Sequence, residues 1–164
     1  MAFRARQFFP VLLLLLLFAL PGRAQEVGVP QSLPATPLQI VTGEGVHDFE
    51  VEVARTNAEM AKGLMFRTEM AENHGMIFDY NPPRWASMWM KNTYIPLDIL
   101  FIRADGTILN IAENTTPLSR ASISAAGKAR AALELNAGVV EKLGIEAGDL
   151  VRHDLFGNYP DGQD

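Results

Sequence analysis

Two apolar runs meet at Asp105-Gly106, and this junction constrains the chain more than any other. Asp-Gly between alternating hydrophobic residues is a two-residue hairpin signal, because that turn needs positive φ at its centre. Pairing across it within Leu97 to Ala112 puts Leu100, Ile102, Leu109 and Ile111 on one face, which must be core. Asp98 shares the parity of Leu100 and Ile102, so its carboxylate points to the apolar side. Burying it bare costs several kcal/mol, so it must have a partner.

The rest of the chain follows the same logic. From Leu38 onward, short apolar segments alternate with turn signals. Leu38 to Thr42 and Val46 to Ala54 read as strands around Gly43-Glu44-Gly45; in the second, Phe49, Val51 and Val53 alternate with Glu50 and Glu52. Thr56 and Glu59 form a capping box for a short helix carrying Met60 and Leu64 and closing near Gly63. After the turn Asn73-His74-Gly75 comes a strand with Met76, Phe78 and Tyr80 alternating. Ala131 to Leu135 is a strand with Glu134 embedded in it, Asn136 caps a short helix that Gly144 closes, and Leu150 to His153 is a last strand. The expectation is one α+β domain over residues 38–157, mainly antiparallel, a compact barrel- or sandwich-like sheet with two short helices. Residues 158–164 read as a disordered tail.

Residues 1–24 stand apart. Arg4 and Arg6 give a basic start, Val11 to Leu20 is unbroken apolar sequence, and Pro21-Gly22-Arg23-Ala24 offers small residues before a cut at Gln25. A membrane span needs about 18 or more apolar residues, and Phe8 to Leu20 falls short with Pro10 inside it. The segment reads as a secretory signal, so the protein is expected in the periplasm or outside the cell after cleavage near Ala24, touching the membrane only through its leader. Pro30, Pro34 and Pro37 make residues 25–37 a Pro-rich linker. The chain has no cysteine, which removes disulfides, thiolate nucleophiles and Cys-ligated metals and suits an oxidising compartment. A formal charge of -5 argues against nucleic acid as a partner, because phosphate binding needs a basic face.

Gly63-Leu64-Met65 through Arg67, Trp89-Met90-Lys91-Asn92-Thr93, Ile95-Pro96-Leu97-Asp98-Ile99, Leu133-Glu134-Leu135 and Gly148-Asp149 together resemble the domain-of-unknown-function family numbered 192. The similarity spans roughly Leu38 to Asp154. Met88 stands where the family pattern usually has an aromatic residue before the Trp. The resemblance implies a compact mixed domain dominated by β-structure, and brings no established activity.

Six polar or aromatic residues carry whatever chemistry the sequence offers. Arg67, Lys91, Asn92, Asp98 and Glu134 are bracketed by apolar neighbours, and alternation through Met88 to Thr93 puts Trp89, Lys91 and Thr93 on one face. Trp85 follows Pro82-Pro83-Arg84 and is expected on a loop, exposed, whereas Trp89 is expected in the core. The functional reading is a polar pocket near the Trp85 to Asp98 corner, holding a small polar ligand or a protein segment of the cell envelope. The structural alternative is a network in which Asp98 accepts turn amides or pairs with Lys91. A rival enzymatic reading makes Asp98 and Glu134 an acid/base pair, which requires the two carboxyls to converge across a cleft. No phosphate loop, dinucleotide fingerprint, serine-hydrolase elbow or metalloprotease helix appears. No cofactor is indicated. His47, His74 and His153 lack ligand spacing, and the methionines read as core, so no metal is expected.

Overall fold

The structure, a computed structural model, describes residues 28–160. The leader, its expected cut near Ala24 and the end of the tail lie outside the described residues. Seven strands, β1 (Ala35–Thr42), β2 (Gly45–Ala54), β3 (His74–Met88), β4 (Leu97–Ile102), β5 (Ile108–Ala112), β6 (Ile123–Asn136) and β7 (Leu150–Arg152), form one sheet in the order β5-β4-β6-β3-β2-β1-β7. The sheet curls into a half-barrel. Its two ends meet where Thr107 bridges Leu150 and the Ile108 amide donates to Asp149 O at 2.9 Å.

All pairs are antiparallel except β2–β3. That exception follows from α1 (Asn57–Lys62), which crosses between the two strands so that β3 runs in the same direction as β2. Thr56 and Glu59 make the expected capping box, and Gly63 ends the helix at φ 48. The second helix, α2 (Val139–Leu143), closes on left-handed Gly144 as expected. Its N-cap is Gly138 rather than Asn136, which ends β6 and instead donates to Met70 O and Ala71 O.

Both faces of the sheet are covered. One face, to which every strand contributes, buries Leu38, Val51, Ile77, Leu100, Ile108, Leu133 and Val151, with Val139 and Val140 of α2 packed among them. The other buries Met76, Phe78, Tyr80, Leu97, Ile99, Phe101 and Ala132 beneath Leu64 and Met90.

The departures from the sequence expectation have local causes. The β4–β5 connection runs over residues 103–107, with Arg103 N–H donating to Thr107 O and Gly106 left-handed at φ 87. The register shift between Phe101 and Ile102 then brings Ile108 to the face with Leu100 and Ile102 and sends Leu109 to the opposite one. β3 does not stop at Tyr80. Its pairing with β6 skips from Asp79 to Arg84, so Pro82 and Pro83 sit in a bulge where no ladder amide is required.

The Pro-rich linker is tied down from Gln31. Gln31 Nε2 donates to Glu59 O at 2.9 Å and Gly63 O at 3.0 Å, the Leu33 amide donates to Glu52 Oε2 at 2.7 Å, and β1 begins at Ala35. Glu59 O also accepts from the Gly63 amide at 2.8 Å, so Gln31 adds a second donor there and caps the free Gly63 carbonyl at the end of the helix. At the other end, Asn158 accepts from the His153 amide and donates to Val151 O.

Candidate functional site

A pocket of about 430 Å³ opens between α1, β3, the turn after β3 and the approach to β6. Its apolar walls are Leu64, Met65, Phe78, Met60 and Met88. The α1 capping box and the Gln31 bonds hold the helix over the sheet, and Gly63 is required at the close approach. There φ is positive, and a Cβ would lie 3.1 Å from the Phe78 ring. The turn after β3 is set by Met90, fully buried, whose sulfur accepts from Thr115 Oγ1 at 3.2 Å. Left-handed Asn92 (φ 56) and the Phe66 amide donating to Asn92 O fix the rest. This turn replaces the expected strand alternation. Met90 and Thr93 go inward, while Trp89 is 49 % exposed rather than core, with Lys91 Nζ 5.3 Å from its ring centroid.

Glu134 is the chemical centre of the pocket. Its neighbours across the sheet are Met76 and Ile99, and with the parity of Ala132 its side chain joins the face that buries Phe78 and Tyr80. Only 4 % of the residue is exposed, yet it lines the pocket. Burial alone raises its carboxyl to about 8, with no hydrogen bond or cation among the causes. At neutral pH it is therefore mainly a neutral acid, able to donate one hydrogen bond into the cavity. Tyr80 faces it; burial and the Glu134 charge both push the phenol upward, and Tyr80 Oη donates to the Met88 sulfur at 2.9 Å. The Arg84 guanidinium lies 4.4 Å over the Tyr80 ring. Lys62, Lys91 and Arg120 complete a cationic mouth, with Ser87 and Ser122 joined by a 2.6 Å hydroxyl contact.

Of the six residues singled out in the sequence, the pocket gathers two, Lys91 and Glu134. Arg67 lies elsewhere: it pairs with Glu52 at 2.7 Å and donates to Gln31 O, fastening the linker to β2. Asn92 sets the turn, and its Nδ2 donates to the Met65 sulfur at 3.8 Å. Trp85 is in β3 opposite Lys128, not on a loop; it is 70 % exposed and does not line the pocket.

Asp98 is completely buried and accepts from the amides of Asn114 (2.8 Å) and Val140 (3.0 Å). It supplies from β4 the N-terminal cap that Gly138 cannot give α2. The expected partnership with backbone amides is present, and no pairing with Lys91 is found among the described residues. Asp98 and Glu134 belong to opposite faces of the sheet, because they sit on adjacent strands with Asp98 opposite Leu135 and Glu134 opposite Ile99. They cannot form an acid/base pair. Tyr80, Arg84, Arg120 and the three pocket methionines were not singled out as a site. Their signal was weak, since each reads alone as core or surface, and only the bulge after Tyr80 and the turn after Met88 bring them together.

Fold and pocket define a class: a curled seven-stranded β half-barrel with a side pocket that has a neutral acid in its wall and cations at its mouth. The chain belongs to the DUF192 family, described as Uncharacterized ACR, whose model matches residues 39–153. It is similar to a protein of unknown function from Novosphingobium aromaticivorans, with 45% sequence identity, a TM-score of 0.72, and coverage of 78% of this chain and 95% of that one. It is also similar to a Sinorhizobium meliloti protein designated a candidate transcription regulator, with 43% identity, a TM-score of 0.74, and coverage of 77% and 99%. No curated protein matches the sequence.

Proposed function

We propose that this protein is an exported, non-catalytic binding module that holds a small polar molecule of the cell envelope in the Glu134 pocket. One observation carries the reading: Glu134, a residue only 4 % exposed whose carboxyl is raised to about 8 by burial, lines an open cavity of about 430 Å³. A buried polar group without a partner is costly, and a site of this kind is where a ligand supplies what the protein withholds. The volume suits a small molecule better than a protein segment. At roughly 30 Å³ per heavy atom, it takes on the order of a dozen such atoms. The non-catalytic reading rests on Glu134 being the sole carboxyl among the lining residues, so no carboxylate pair is assembled there. Export rests on the basic, apolar and small-residue leader over residues 1–24. The regulator designation belongs to the Sinorhizobium protein, and the net charge of -5 argues against nucleic acid here.

The test is a thermal-shift screen of the chain against sugars, amino acids, metal ions and cell-wall fragments, with hits followed by NMR of methyl-labelled methionines. A ligand of this site moves the Met60, Met65 and Met88 methyls and leaves Met70 in place. A flat screen, or hits that leave those three methyls unmoved, would refute the proposal.

A further inference from the structure

The mouth of the pocket is more informative about its occupant than the wall. Lys62, Arg84, Lys91 and Arg120 all line it, and the only acid among the lining residues is Glu134, which is mainly neutral at pH 7. In a chain of 19 acidic and 14 basic residues, four cations and no carboxylate anion around one opening is a local reversal of sign. The described ion pairs lie elsewhere, at Arg67–Glu52, Arg130–Asp79 and Lys142–Glu72. None of the four mouth cations has a carboxylate partner among the described residues. Two are instead steadied by aromatic rings, Arg84 over Tyr80 at 4.4 Å and Lys91 over Trp89 at 5.3 Å. A ring holds a cation's position without neutralising its charge. Behind the mouth the walls are thioether, leucine and phenylalanine, which reward an apolar body.

We propose that the ligand is a small organic anion with an aromatic or short aliphatic body, its charged group met by Arg84, Arg120 and Lys91 and its body seated against Met60, Met65 and Met88. This rests on the pocket reading above and adds the ligand's charge and shape. Amines are repelled by the mouth cations. Neutral analogues fill the walls but leave the cations unanswered. The cationic opening also draws anions in from solution, against the repulsion of the protein's net charge.

The probes are 4-phenylbutyrate, 4-phenylbutanol and 4-phenylbutylamine, one body with three end groups. Each is titrated into the full chain at pH 6.5 and followed by the methionine methyls. The acid is expected to move Met60, Met65 and Met88 and to bind at least about tenfold tighter than the alcohol or the amine. In Arg84→Gln/Arg120→Gln that preference should shrink to about twofold while the alcohol's affinity holds. If the alcohol or amine binds these methyls as tightly as the acid, the anion inference falls and the pocket reading stands. If none of the three binds while a neutral or cationic compound from the screen reaches the same methyls, the anion inference again falls alone. If nothing moves them, both fall.

Discussion

Ionising Glu134 should cost the folded state free energy, and the cost should appear as a pH dependence that one substitution removes. The carboxyl has an ordinary value of 4.5 and is raised to about 8 by burial. At about 1.4 kcal/mol per pH unit, that difference bounds the effect at about 5 kcal/mol. The sign follows from proton counting. Between these two values the native state holds a proton that the unfolded state has released, so the native advantage is full below 4.5 and is lost as pH rises through about 8. Glu134→Gln keeps the shape and removes the titration. Urea unfolding of both proteins from pH 4 to 9.5 should therefore give a variant whose stability relative to wild type grows with pH. We expect it to gain about 3 to 5 kcal/mol between the two ends. The assay compares differences, so groups common to both proteins cancel. Two curves running parallel across the range would refute the reasoning, since they would mean that Glu134 titrates alike in the folded and unfolded chains.

Two further outcomes test other parts of the structure. His153 is buried, its Nε2 meets Thr36 Oγ1 at 2.9 Å, its Nδ1 accepts from the Leu155 amide at 3.1 Å, and burial holds it below its ordinary 6.5. The unfolded chain thus takes up a proton first as pH falls through 6.5, and wild type should lose stability there while His153→Gln shows a flatter profile in the same urea series. Replacing Asp98 with Ala strips the acceptor from two backbone amides, those of Asn114 and Val140, and should lower stability by about 2 to 4 kcal/mol. Amide exchange should rise first in α2, and exchange that is unchanged there would remove Asp98 as that helix's cap.

The β-rich single sheet was legible because its faces alternate cleanly. Phe49, Val51 and Val53 bury one side of β2, and the Thr56–Glu59 box marks the helix start without help from the rest of the fold. Asp98 was legible too: an acid with the parity of Leu100 and Ile102 had to be buried, and burial demanded partners. Strand direction was not, because alternation is blind to it; the parallel β2–β3 pair follows only once α1 is recognised as a crossover. Nor could parity alone reach across β4 and β6, where the inter-strand register sends Asp98 and Glu134 to opposite faces. The strand placement of Trp85 and the exposure of Trp89 were missed for two separate reasons. Pro82 and Pro83 suggested a loop where the ladder merely bulges, and the chain after Met88 turns on a left-handed Asn92 rather than continuing as a strand. The pocket is the product of those two irregularities, so periodicity had no means of revealing it.

The most direct measurement is the carboxyl carbon-13 shift of Glu134 followed from pH 3 to 10 in the folded protein. Burial in the pocket wall sets the expected midpoint near 8. A midpoint near 4.5 would contradict it, for the side chain would then be ionised and solvated, with no neutral acid waiting in the pocket.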